Sequence, residues 1–270
     1  NEKTLPDSIS QKYERESQKL WDKFYKRQQN TVVYKDRLRS LLDRFSHWVG
    51  KYFAELAVPP VNTPHHSLLE VGCGIGSSAF GICEKHPHVE VFGIDFSKNA
   101  IEACKVLVFQ LKQSQKRAEE LGWQDRCRFA ICDLTKDDIP LEVLMMRGAS
   151  FCTLLFVLSA LHPDNMQSVL DKLYDALAPG GYLFFRDYGV YDMTQMRFKK
   201  GSKLAENWYV RQADGTRTFF FTTELLESMF RKAGFEVLSN VYFKKAEYNH
   251  KMDLRLNRIW IQTKCRKPVS

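Results

Sequence analysis

The sequence has no apolar run of the roughly 18 residues needed to cross a bilayer. Its longest candidate, Phe151 to Leu161, is interrupted by Thr153 and Ser159 and reads as a buried strand with its loop, so no membrane partner is expected. It has no Cys-x-x-Cys pair. Its 7 cysteines, at positions 73, 83, 104, 127, 132, 152 and 265, are odd in number, and several lie in apolar strands. That pattern argues for reduced thiols in an intracellular compartment rather than a disulfide framework. Neither His65-His66 nor His86-x-His88 is joined by a second cluster at metal-ligand spacing, and no metal is expected. Internal repeats, low-complexity tracts and a signal peptide are also lacking. The chain opens at Asn1 without methionine, which leaves room for an upstream segment, and an organelle address with it, to have been removed. A cytoplasmic location is expected, with the nucleus and the mitochondrion left open.

What is present suits one domain with elaborations: 270 residues with 44% hydrophobic content can bury a single substantial core. The net charge of +8 is unevenly spread. Residues 1–40 carry 10 Lys/Arg and 6 Asp/Glu, residues 41–195 carry 14 and 19, and residues 196–270 carry 16 and 7. Basic ends flank an acidic centre, and their cations are interleaved with aromatics able to stack on bases, so a nucleic acid is the expected partner.

The most informative segment is Leu68-Leu69-Glu70-Val71-Gly72-Cys73-Gly74-Ile75-Gly76, followed by an acid, Asp95, that closes Val91-Phe92-Gly93-Ile94-Asp95. A short apolar run gives a buried strand, and alternate glycines let the backbone turn tightly against a ligand before a helix begins near Ser77. A dinucleotide fingerprint would need its third glycine where Ser77 stands. The spacing therefore favours S-adenosylmethionine, with Gly72, Gly74 and Gly76 beneath its amino acid, Glu70 acting indirectly on the ammonium, and Asp95 taking the ribose hydroxyls.

The pattern along the chain predicts an aromatic-faced helix over Ile9–Gln29, a second over Asp36–Leu56, and a linker holding Pro59, Pro60 and Pro64. Strands are expected at Ser67–Gly72, Glu90–Asp95, Cys127–Cys132, Phe151–Phe156 and Tyr182–Tyr188. Helices are expected at Ser77–Lys85, Ser97–Leu121 and Asp164–Leu177, the last stopped by Pro179-Gly180-Gly181. An insertion over residues 189–222 precedes a helix at Thr223–Ala233 and two strands, Phe235–Lys245 and Leu254–Lys264. This is an α/β chain of the class I, Rossmann-like methyltransferase type: a seven-stranded, mostly parallel sheet, with a helical extension over residues 1–60 and the catalytic domain over residues 61–270. Ligands in such sheets sit beyond the carboxyl ends of the strands.

Longer motifs carry a resemblance. Leu155-Phe156-Val157-Leu158-Ser159-Ala160 with His162-Pro163-Asp164, Phe185-Arg186-Asp187-Tyr188-Gly189, Arg197-Phe198-Lys199, Asp214-Gly215-Thr216-Arg217 and Arg258-x-Trp260-Ile261-Gln262 are similar to those of the tRNA 3-methylcytidine methyltransferases of the methyltransferase-like group, as are Trp21-Asp22-x-Phe24-Tyr25-Lys26 and Lys35-Asp36-Arg37 near the amino end. The charged stretch Lys112–Glu120 looks like an insertion relative to that family. The resemblance implies S-adenosylmethionine-dependent methylation of N3 in the first cytidine of the anticodon loop. It implies that Trp21 and Tyr25 fold over the cofactor, that Asp133 and Leu134 meet the adenine, and that Leu155 lines the methionine end. A seryl-tRNA synthetase or another helper protein is an implied partner.

For such a reaction Asp187 is the candidate acid near the methylated base, against the alternative of an ion pair with Arg186, and Tyr188, Phe156 and Tyr209 are candidates to stack on it. Lys26, Lys35, Arg37, Arg186, Arg197, Lys199, Lys200, Lys203, Arg211 and Arg217 are the expected tRNA contacts. Rival readings are a small-molecule or protein methyltransferase and a noncatalytic RNA-binding subunit.

Overall fold

The computed structural model describes residues 4–32, 54–58, 66–113, 126–145, 148–249 and 253–269. The expected helix over Asp36–Leu56, apart from its last three residues, lies outside them. So do Lys35, Arg37, the three linker prolines and most of Lys112–Glu120.

Five parallel strands run through the core: β1 (His66–Val71), β2 (Val89–Asp95), β3 (Cys127–Ile131), β4 (Ala149–Leu155) and β5 (Leu177–Tyr188). Three short strands, β6 (Lys203–Ala205), β7 (Trp208–Val210) and β8 (Arg217–Phe219), form a separate small sheet within the insertion. The chain then returns through β9 (Glu236–Asn249) and β10 (Leu254–Arg266), and β10 pairs antiparallel with β5. The main sheet has the order β3-β2-β1-β4-β5-β10-β9, so the strand order reverses between β1 and β4.

The strands read as continuous apolar runs because both faces of the sheet are covered. Adjacent residues alternate between faces: Leu69, Leu154 and Phe185 join one core cluster, Leu68, Phe151 and Phe184 the other. Each fully buried Leu or Phe removes apolar surface worth about 1.5–3 kcal/mol from water. The covering helices are α3 (Ser77–Lys85), α4 (Lys98–Gln113), the short α5 (Leu141–Met145), α6 (Pro163–Ala176) and α8 (Thr223–Lys232), while the one-turn α7 (Met193–Met196) opens the insertion. Pro163 occupies the first turn of α6, and the Thr222 hydroxyl caps α8 by accepting the Leu225 amide at 3.2 Å.

Two expectations need correction. The single helix over Ile9–Gln29 is two helices, α1 (Asp7–Arg15) and α2 (Ser17–Val32), hinged at Glu16, whose φ and ψ are −92° and 0°. Tyr13 of α1 packs against the small-sheet cluster of Leu204, Trp208 and Val210, while α2 packs against α4. The helix α6 ends at Ala176 and β5 begins at Leu177, so the Pro179-Gly180-Gly181 turn lies within the strand and not at the helix stop. Gly180 at φ +79° and a register shift in β4 between Ala149 and Phe151 absorb the turn within the paired strand.

Candidate active site

A cavity of about 490 Å3 opens beyond the carboxyl ends of β1, β2, β3 and β4, at the reversal of strand order. Its floor is the glycine turn. At Gly72 (φ +64°) a Cβ would lie 2.3 Å from Val157 Cγ2, and at Gly74 (φ +54°) 2.9 Å from the Tyr25 hydroxyl, so neither backbone conformation nor space admits a side chain. Gly76 precedes α3 as its N-cap.

Asp95, at the end of β2, fastens this turn. Its Oδ2 accepts the Gly74 amide at 2.9 Å and its Oδ1 the Ser97 amide at 2.8 Å. Burial pushes the carboxyl up to about 6, against those two hydrogen bonds, which favour its charged form. A carboxylate has about four acceptor positions, so two remain for other donors such as ribose hydroxyls. Glu70, one strand earlier, is buried and raised to about 7 by desolvation, and its Oε2 has no hydrogen-bond partner among the described residues. An unpartnered carboxylate oxygen in the wall of a ligand cavity fits a cationic group. Beyond β3, Asp133 and Leu134 line the same cavity. Burial acts to raise the Asp133 carboxyl, but hydrogen bonds from Lys136 and Thr135 outweigh it and hold it below its ordinary value.

The roof is α2. Trp21, Phe24 and Tyr25 form a mutual cluster, Trp21 lying 5.2 Å from Phe24 and 5.8 Å from Tyr25 between ring centroids. Burial, then the Asp95 charge, raises the Tyr25 phenol well above its ordinary value, so it stays a donor. Asp22 holds the helix down by accepting the Ser97 hydroxyl at 2.6 Å, and Gln18 donates to the Phe96 carbonyl at 2.8 Å.

Leu155 and Phe156 lead from this cofactor region to an aromatic one. Phe156 adopts φ +58° and its ring lies 5.2 Å from that of Tyr188, which also borders the cavity. Arg211 donates to the Tyr188 hydroxyl at 3.2 Å, and the Arg258 guanidinium stands 5.5 Å from the Tyr188 ring while pairing with buried Asp192 at 3.0 Å. Tyr188 continues through Phe220 to Tyr209, which stacks on Phe198 at 4.9 Å.

Comparison with known proteins places the chain in a family. A model of the methyltransferase domain family matches residues 31–240. The tRNA N(3)-cytidine methyltransferase METTL6 of Homo sapiens is 40% identical over 265 residues, covering 98% of this chain and 85% of that protein. The tRNA N(3)-methylcytidine methyltransferase Mettl2 of Drosophila melanogaster is 36% identical over 266 residues, covering 96% and 74%. The chain belongs to the tRNA N(3)-cytidine methyltransferase family. Among solved structures, the 1,6-didemethyltoxoflavin-N1-methyltransferase of Burkholderia thailandensis, solved with S-adenosylhomocysteine, shares the fold at TM-score 0.56 and 16% identity, covering 94% of this chain and 90% of that one.

The family's motif residues do not share one environment here. Asp187 is fully buried and does not border the cavity; its Oδ2 accepts the Ser159 amide at 2.9 Å and its Oδ1 the Tyr188 amide at 2.8 Å. Desolvation raises it to about 7. It does not pair with Arg186, because consecutive strand residues face opposite sides: the Arg186 guanidinium donates to Gln262 at 2.8 Å and lies 4.7 Å from the Phe243 ring. Among the expected tRNA contacts, Lys26, Arg197, Lys199 and Lys200 are exposed and Lys203 pairs with Glu206. Arg186 and Arg217 are buried, only 5% and 4% exposed, and engaged by protein groups. Sequence reasoning missed Glu14, which pairs with Arg217, and the roles of Asp22, Asp192 and Arg258. Asp22 and Arg258 stood inside recognisable motifs. Glu14 stood in an ordinary charged run that gave no signal.

Proposed function

We propose that this chain methylates N3 of the first cytidine in a tRNA anticodon loop, with S-adenosylmethionine as its cofactor. The observation that carries this reading is the continuity of the site: Phe156 and Tyr188 border the same cavity as Gly74 and Asp95. The glycine cradle and the unpartnered Glu70 oxygen fit a cofactor whose zwitterionic amino acid end carries an ammonium group. When bound, the cofactor supplies a methyl group on a positively charged sulfur. The protein's own contribution is positioning, because neutral cytosine N3 already holds its lone pair and requires no general base. Phe156 and Tyr188 offer ring faces to an everted base, at about 1–3 kcal/mol per stacked base. Asp187 frames that floor through the Ser159 and Tyr188 amides. Its charge lies one layer behind, where it favours a base that becomes cationic.

The exposed Arg197, Lys199 and Lys200 of the insertion suit RNA phosphates. A seryl-tRNA synthetase or comparable helper that presents the tRNA is part of the proposal, as is a cytoplasmic location, which the seven free, buried cysteines support. The test is transfer of labelled methyl to a tRNA, with and without cell extract, compared with the same tRNA carrying uridine at the first loop position. Label that requires the cytidine supports the reading. Equal label on both RNAs overturns it.

A further inference from the structure

Arg217 sits on β8 of the insertion with its side chain only 3% exposed. It joins two segments that are remote from it in sequence, the α1–α2 junction and the turn after β4. It pairs with Glu14 at the end of α1, donates to the Ser17 hydroxyl at the start of α2 (3.2 Å), and donates to the Ala160 carbonyl in the turn after β4 (3.5 Å). The Trp208 ring lies 5.5 Å from its guanidinium. Glu14, Ser17 and Arg217 all border the cofactor cavity, beside the roof residues Trp21 and Tyr25.

The roof is thus held at two edges. On the main-sheet side Asp22 and Gln18 fix α2 to the segment leading into α4. On the insertion side the corresponding attachment is Arg217, assisted by the Leu5 amide donating to the Lys203 carbonyl at 2.8 Å. A buried guanidinium deprived of its carboxylate is strongly disfavoured, so the Glu14–Arg217 pair biases the roof toward its closed position. We propose that Arg217 is a positioning residue that latches α1 and α2 over the cofactor cavity through Glu14, so that the demethylated adenosyl product leaves only when this pair opens. Arg217 then sets the lifetime of the bound adenosyl ligand without contacting the transferred methyl or the base.

The test uses the whole chain and S-adenosylhomocysteine alone, without RNA, so its outcome does not depend on the substrate. Dissociation is followed by displacement of radiolabelled S-adenosylhomocysteine by an excess of unlabelled ligand, a signal independent of the chain's 5 tryptophans. Glu14→Ala and Arg217→Gln, each first verified as folded by circular dichroism, should each release the ligand at least about tenfold faster, the rate equivalent of about 1.4 kcal/mol. The exchange Glu14→Arg with Arg217→Glu should recover part of that loss, which a purely structural role for either side chain does not predict. Wild-type dissociation rates in folded Glu14→Ala and Arg217→Gln would overturn the latch.

Discussion

The Asp95 carboxylate accepts the backbone amide of Gly74 at 2.9 Å, so the acid that ends one strand holds the turn that follows another. The cofactor floor and the residue expected to take the ribose are therefore one unit. Asp95→Asn should weaken S-adenosylhomocysteine binding by at least about tenfold, since it removes a charge-assisted acceptor from the turn. Gly74→Ala should act by a second route, through left-handed backbone strain of about 1–2 kcal/mol and collision with Tyr25. Isothermal calorimetry checks both, and undiminished affinity in either variant would count against this floor.

Three buried carboxyls, Asp95 at about 6 and Glu70 and Asp187 at about 7, are raised by desolvation. In the unfolded chain such groups titrate near 4. Between about 4 and 7 the folded protein therefore binds more protons than the unfolded one, and its stability should fall as pH rises through that window and level off above it. A ligand whose ammonium group lies beside Glu70 favours its ionised form, so its affinity should instead strengthen as pH rises through 7. Thermal melts across pH with and without S-adenosylhomocysteine measure both slopes. Two slopes of the same sign would contradict the assignment of Glu70.

Lys199→Ala and Lys200→Ala remove exposed cations of the insertion. Each should weaken tRNA binding and shallow the dependence of log K on log salt by about 0.7–0.9 per lost phosphate contact, leaving S-adenosylhomocysteine affinity intact. Filter binding at several salt concentrations reads the slope. An unchanged slope would remove these lysines from the RNA surface.

Tyr188→Phe keeps the ring and loses the hydroxyl that Arg211 reaches at 3.2 Å, whereas Tyr188→Ala loses both. If the ring stacks on the base, the alanine variant should lose about 1–3 kcal/mol in kcat/KM and the phenylalanine variant much less. Steady-state methyl transfer distinguishes them, and equal losses would place the function in the hydroxyl rather than the ring.

Much of the fold was legible because its signals are local. The α3 boundaries, Ser77–Lys85, followed from the glycine turn before them, and the apolar strands followed from burial on both faces. What escaped notice depends on partners remote in sequence. Arg217 meets Glu14 across 203 positions, and nothing near either residue encodes the pair. The hinge at Glu16 is set by what α1 and α2 pack against, not by a glycine or proline, so helical periodicity ran straight through it. The alternative of an Arg186–Asp187 ion pair fails because strand alternation puts the two side chains on opposite faces.

The most direct measurement is nucleoside mass spectrometry on tRNA treated with this protein, with and without cell extract, and S-adenosylmethionine bearing a deuterated methyl group. The account predicts 3-methylcytidine carrying the heavy methyl, reduced in Asp95→Asn at sub-saturating S-adenosylmethionine. Heavy methyl on any other nucleoside, or none in the presence of cell extract, would contradict it.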